Sequence, residues 1–106
     1  MNIEDIASLF GNLLENAVEA ATGIEDAYVE LSVKNNETEH LMISMINSCN
    51  WTPELNFSGD YISRKKDKRK HGLGMKSIRK IAKKYNGTLN SFHNEEDLTF
   101  HTMITF

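Results

Sequence analysis

The stretch LFGNLLENAVEAA, residues 9–21, carries two stripes that answer different physical demands. Wound as a helix at about 100° per residue, Leu9, Phe10, Leu13, Leu14, Ala17, Ala20 and Ala21, with Ile6 upstream, fall on one broad side. Asn12, Glu15, Asn16 and Glu19 fall on the other, at i, i+3, i+4 and i+7. The apolar side is what any helix needs in order to persist by packing. The polar side is less ordinary. Asn is a poor helix former, and solvated helix faces are usually built from Lys, Glu, Gln and Arg. Two Asn one turn apart, alternating with two carboxylates, make a row of oxygen ligands without positive charge, which suits a hard cation such as Mg²⁺. The same row also fits a plain surface helix, so the choice turns on the other segments.

Working outward, Asn2 is an N-cap with Asp5 three residues on, a start resembling a capping box. The helix is expected to stop at Gly23. Gly11 inside it costs about 1 kcal/mol relative to Ala, so a close backbone approach is expected there. Residues 27–34 alternate, with Ala27, Val29, Leu31 and Val33 on one face and Tyr28, Glu30, Ser32 and Lys34 on the other, the pattern of a half-buried strand. A polar turn, residues 35–39, leads to a second strand over 41–47. Regular pattern is lost from 48 to 70, a loop long enough to call for a functional reason. Gly72 and Gly74 open a second helix whose inner side is Met75, Ile78, Ile81, Ala82 and Tyr85, and Asn86-Gly87 ends it. Residues 88–93 and 98–106 form a closing hairpin in which Phe100, Thr102, Ile104 and Phe106 alternate. The order α-β-β-loop-α-β-β implies an α+β two-layer sandwich: a mixed, mostly antiparallel sheet with the helices packed on one face.

At 106 residues, residues 1–106 are expected to be a single domain. No apolar run approaches the roughly 20 residues of a membrane span, and no signal-peptide pattern opens the chain. The lone Cys49 has no intrachain disulfide partner and reads as packing beside Ile46 and Trp51. Net charge of −3 conceals a division. Residues 1–63 hold 11 acidic residues and one basic residue, Lys34, whereas residues 64–84 hold 11 of the 12 basic residues against Asp67 alone. One segment is built to meet negative charge.

That segment, RKKDKRK (residues 64–70), leads directly into HGLGMKS (residues 71–77). Two glycines at a helix start leave backbone N–H groups open to an anion, and the helix dipole favours negative charge there. The basic run can close over a polyphosphate while the Asn pair holds its counter-cation. A nucleic-acid-binding domain using the basic loop and the cationic helix face is the alternative from another class, with affinity falling steeply in salt.

NLLENA (residues 12–17) resembles the N-box of the GHKL ATPase superfamily, which has gyrase, heat-shock chaperone, mismatch-repair and histidine kinase members. HGLGMKSIRKIAKKYNG (residues 71–87) resembles its second glycine box and the following helix. The pattern is most similar to the sensor histidine kinases of the Agr-type quorum-sensing receptors, GNLLxNAxEA and HGxGLKSxxxIxxKYNG, with one departure at Met75. The resemblance implies a Bergerat-like ATP-binding fold and a catalytic domain that transfers the ATP γ-phosphate, with Mg²⁺, to a His on a separate dimerisation domain in two-component signalling.

By that resemblance, Asn16 coordinates the Mg²⁺. Asn12 lines the phosphate site where hydrolytic relatives keep a general-base Glu, and its amide takes up no proton at neutral pH. Glu19 stands where many histidine kinases carry a basic phosphate contact. Residues 48–71 form the lid, in which Arg64, Lys65, Lys66, Lys68, Arg69 and Lys70 are candidates for closing over phosphate. Gly72, Leu73 and Gly74 approach the phosphates through their backbone, flanked by His71 and Met75. Apart from the resemblance, Trp51 and Phe57 read as core packing, with packing of the lid or stacking near the base as the alternative.

The usual first glycine box, Asp-x-Gly-x-Gly, is replaced by Asn47-Ser48-Cys49, leaving the Asn47 side-chain oxygen to accept from the adenine amino group. His40, His71, His93 and His101 read as strand or loop residues, none in a helical dimerisation pattern, so the phosphoacceptor lies elsewhere. The chain is expected to be the cytoplasmic catalytic fragment of a longer, membrane-anchored kinase, with a response regulator as indirect partner and no nucleic acid. A protein-serine kinase of the anti-sigma-factor kind would share the same nucleotide site. A pair of imidazoles, His93 and His101, facing across the last hairpin is a weak basis for a metal site.

Overall fold

Helix α1 starts where the sequence places its cap. The side-chain oxygen of Asn2 accepts from the Asp5 backbone N–H at 2.8 Å, and α1 runs Ile3–Ala21. Thr22 caps its C-terminus and Gly23 follows with φ +83°, the left-handed conformation that glycine adopts without strain. The computed structural model describes residues 1–35, 40–50 and 68–106, with the backbone alone for 68–73. Strands β1 (Val29–Asn35) and β2 (Leu41–Ser48) follow, then α2 (Lys68–Lys84), β3 (Thr88–Asn94) and β4 (Thr99–Thr105).

The four strands lie in the order β1-β2-β4-β3, and every pairing is antiparallel. The strand at position 2 of the chain therefore sits beside the last one, and the expected mixed character resolves into a purely antiparallel sheet among the described residues. Register decides which side chains meet the helices. Ile43 and Met45 pair with Ile104 and Thr102, and Leu89 with Ile104, so odd positions of β2 share a face with even positions of β4. These join Leu9, Leu13 and Ala17 of α1 and Ile78, Ile81 and Ala82 of α2 in one buried core. Leu9, Ile78 and Ile104 are wholly excluded from solvent, the kind of burial that supplies about 1.5–3 kcal/mol per side chain. Cys49 is buried too, with its N–H donating to the Leu98 carbonyl at 2.8 Å, as the packing reading expects.

Helix α2 ends in a Schellman arrangement. Asn86 takes φ 58°, its N–H donates to the Lys83 carbonyl, and the Gly87 N–H reaches the Ala82 carbonyl at 2.6 Å. The two helices run antiparallel because the end of α2 is tied to the start of α1. Asp5 Oδ2 accepts from Lys84 Nζ at 2.8 Å and from the Tyr85 hydroxyl, which itself accepts from the Asn2 N–H. Tyr85 also stacks edge-on against Phe106, with centroids 6.4 Å apart, linking this tie to the end of the sheet.

Four sequence expectations are corrected. Gly11 makes no close approach: a Cβ built there meets nothing within 4 Å, because the residue points outward from the layer. Helix α2 begins at Lys68, so Gly72 and Gly74 lie inside it and His71 is a helical rather than a loop residue. Lys and Arg are good helix formers, and three of them in succession extend the helix backward despite the cost of the glycines. The expected lid, 48–71, is shortened at both ends, since Ser48 belongs to β2 and 68–71 to α2; residues 51–67, with Trp51 and Phe57, lie outside the described residues. Finally, His93 and His101 do not face each other. Register pairs His93 with Phe100 and Phe92 with His101, which puts the imidazoles on opposite faces of the sheet.

Two measurements follow from this packing. Gly11→Ala should raise stability by about 1 kcal/mol in urea unfolding, because it relieves helix entropy without a steric cost. The Asp5 carboxyl is held below its ordinary value of 3.8 by hydrogen bonds from Lys84 and then Tyr85, and Lys84 is held above 10.5 by Asp5. The carboxylate's contribution is thus present above the unfolded pKa and lost as pH falls through the lowered folded value; the Lys84 contribution is present below 10.5 and lost as pH rises through the raised one. Asp5→Asn should flatten the acid limb of a stability–pH profile.

Candidate functional site

The site is built where α1 meets α2 at Gly74, away from their tied ends. Leu9, Leu13 and Ala17 bury one face of α1 against the sheet, which turns Asn12 and Asn16 toward α2. A methyl group built on Gly74 would lie 3.4 Å from Asn12 Oδ1 and 3.5 Å from Asn16 Oδ1. Both carboxamide oxygens therefore converge on Gly74, a position of the facing helix that carries no side chain. Asn12 is oriented by its own helix: Nδ2 donates to the Ser8 carbonyl at 2.8 Å and to Ser8 Oγ at 3.3 Å, leaving Oδ1 directed at α2. Asn12 and Asn16 are half-buried, Glu19 is half-buried one turn on, and Glu15 is exposed.

The arrangement offers acceptor oxygens from α1 beside the backbone of α2. Lys68, Arg69 and Lys70 form the first turn of α2, which has no acidic residue. Positive side chains at the positive end of a helix dipole repel it by about 0.3–1 kcal/mol each, a balance that a bound anion reverses. With the helix begun at Lys68, its unpaired N–H groups belong to that first turn, ahead of Gly72, Leu73 and Gly74. Met75 turns inward and packs against the core, as the helical spacing requires. Arg64, Lys65 and Lys66 lie outside the described residues, and for Lys68 to Leu73 the backbone alone is placed.

Asn47, at the end of β2, is buried on the helix-facing side, with Nδ2 donating to the Ser48 carbonyl at 3.1 Å. Its register neighbour Phe100 stands between it and His93, whose Nε2 donates to the Cys49 carbonyl at 3.1 Å. His93 Nδ1 is buried without a partner. Sequence reading gave His93 no role at this end of the sheet; its alternation with Leu89 and Ser91 on the core side was the available signal. On the opposite face, Thr99 Oγ1 donates to Asp97 and accepts from His101 Nε2, and His101 stacks on Phe92 at 4.5 Å. No group of three or more His, Cys, Asp or Glu among the described residues is placed to hold a metal ion. A cation at Asn16 would thus depend on other oxygens, such as phosphates, to complete its shell.

The chain resembles known proteins along its whole length. The family model described as GHKL domain matches residues 1–105. Among solved structures, the mycobacterial sensor histidine kinase MprB superposes with a TM-score of 0.74 at 14% identity, over 100% of this chain and 74% of that one. The histidine kinase domain of the blue-light-activated histidine kinase from Erythrobacter litoralis EL346 gives 0.72 at 17%, over 96% and 45%. A longer structure of the Erythrobacter litoralis EL346 kinase gives 0.68 at 15%, over 100% and 31%. The chain thus spans less than half of the blue-light kinase structures. A comparison with curated protein sequences gives no match. Fold, helix-facing site and full-length family match agree, and the chain belongs to the GHKL domain family.

Proposed function

We propose that this domain binds ATP with Mg²⁺ and delivers the γ-phosphate to a histidine on a separate dimerisation domain, as the catalytic part of a sensor histidine kinase. The observation that carries this reading is the convergence of Asn12 Oδ1 and Asn16 Oδ1 on the bare Gly74 position. The two side-chain oxygens would serve as ligands for a hard cation, and the bare Gly74 position would let a phosphate chain lie against the α2 backbone. Asn16 would hold the metal, which supplies charge neutralisation across the phosphates when bound. Asn12, fixed by Ser8, would orient the phosphate chain. As an amide it cannot act as a general base, which favours transfer to an acceptor over activation of water.

The cationic first turn of α2, with the Lys and Arg residues just before it, would neutralise the rest of the triphosphate, consistent with phosphoryl transfer by positioning and electrostatics. Gly72, Leu73 and Gly74 would allow the backbone near the phosphates. Asn47 would accept from the adenine amino group through its oxygen, in place of a carboxylate. The domain would comprise residues 1–106, with its lid in the segment between β2 and α2. No helix among the described residues is long and apolar enough to cross a membrane; a membrane anchor and cytoplasmic setting would belong to the parent protein, with a response regulator downstream. A protein-serine kinase would use the same nucleotide site, and the acceptor residue distinguishes the two.

Titration with a non-hydrolysable ATP analogue tests the nucleotide assignment. Saturable binding should strengthen with Mg²⁺, and Asn16→Ala should weaken the Mg²⁺-dependent part roughly tenfold or more, the scale of losing one charged-group contact. Binding that ignores both Mg²⁺ and Asn16→Ala contradicts the assignment. Gly74→Ala separates stability from function. It should stabilise α2 by up to about 1 kcal/mol while weakening the analogue, because the methyl group occupies the approach to the two carboxamides. Calorimetric unfolding and the same titration check both halves.

A further inference from the structure

Among the described residues, strand β1 is an edge of the sheet, and every residue of it but the half-buried Ser32 is exposed. Its helix-side residues are nevertheless apolar. Val29, Leu31 and Val33 are 37%, 39% and 52% exposed, because α1 lies over β2 and leans away from the edge. The flank of α1 that faces away from α2 adds Leu14 and Val18, 41% and 56% exposed. Exposed apolar side chains on and beside an edge strand are what natural sheets usually blunt or cover.

The sequence of β1, VELSVKN, says what fits. Placed antiparallel to a second copy of itself about a twofold axis at Ser32, it pairs Glu30 with Lys34 and Lys34 with Glu30. On the helix side it pairs Leu31 with Val33 and Val33 with Leu31. Opposite charges meet on one face, and on the other the central Leu31–Val33 pairs are flanked by Val29 opposite Asn35, so the centre of the joint is self-complementary as an isologous interface requires. A shift of two residues in register would lose the Glu–Lys matches. Across such a seam, the β2 strands of the two copies stand roughly 14 Å apart, three strand spacings. Leu14 and Val18 of each copy then roof the joint.

We infer that β1 pairs with β1 of a second copy, forming a continuous eight-stranded sheet with Ser32 at the twofold axis. The contact lies on the flank of α1 opposite Asn12 and Asn16, so it leaves the face of the proposed nucleotide site open.

Analytical ultracentrifugation of the 106-residue chain, up to about 0.5 mM, tests it with Glu30→Lys, Lys34→Glu and the double variant. A monomer–dimer equilibrium is expected in the unsubstituted chain. Each single reversal sets like charges opposite one another twice in the symmetric pair and should weaken the dimer about tenfold or more; the double variant should restore it. Circular dichroism of each variant verifies folding, which these exposed positions should not disturb. A monomer throughout, a dimer indifferent to the single reversals, or a double variant as weak as the singles each overturns the pairing. The first would leave the edge to a strand of different sequence.

Discussion

The close approach of α1 and α2 at Gly74 is the constraint from which the remaining geometry follows. A helix pair usually stands apart by the bulk of its interfacial side chains. Here one helix presents two short carboxamides and the other presents no side chain at all. The approach is held from the far end, where Asp5 gathers Lys84 and Tyr85, and from below, where Leu9, Leu13 and Ile78 meet the sheet. Packing fixes both Asn residues against α2, and the Ser8 hydrogen bonds add orientation to the Asn12 carboxamide. Such preorganisation is where a phosphoryl-transfer site has most to gain.

A second consequence concerns charge. The acidic part of the chain forms α1 and the first hairpin, and the basic part forms α2 and the segment before it. Packing of α1 against α2 sets the Asn12 and Asn16 carboxamides beside Gly74 of α2. On the proposed function, a polyanion bound here would meet neutral amides, whereas carboxylates at positions 12 and 16 would repel it.

Much of this was legible in the sequence because the signals were local. The caps at Asn2 and at Asn86-Gly87, the alternation of β4 and the two-faced helix of residues 3–21 each depend on neighbours within one or two turns. What the sequence misstated depended on distant partners. Gly11 and Gly74 are both helical glycines, and only the packing of α2 against α1 makes the second a close approach and leaves the first facing solvent. The start of α2 is set by the helix-forming Lys and Arg ahead of Gly-x-Gly, a signal weaker in the sequence than the two glycines. The separation of His93 from His101 hung on a register of one residue, which flips a side chain to the other face. The apolar edge at β1 was read as half-buried, which is the correct pattern for a strand but does not say whether a helix reaches it.

The most direct measurement replaces Mg²⁺ with paramagnetic Mn²⁺ and follows backbone and side-chain amide resonances with an ATP analogue bound. The account predicts broadening centred on the Asn16 carboxamide and extending to Asn12 and Gly74, appearing only when the nucleotide is present. Broadening centred elsewhere, or equally strong without nucleotide, would contradict it.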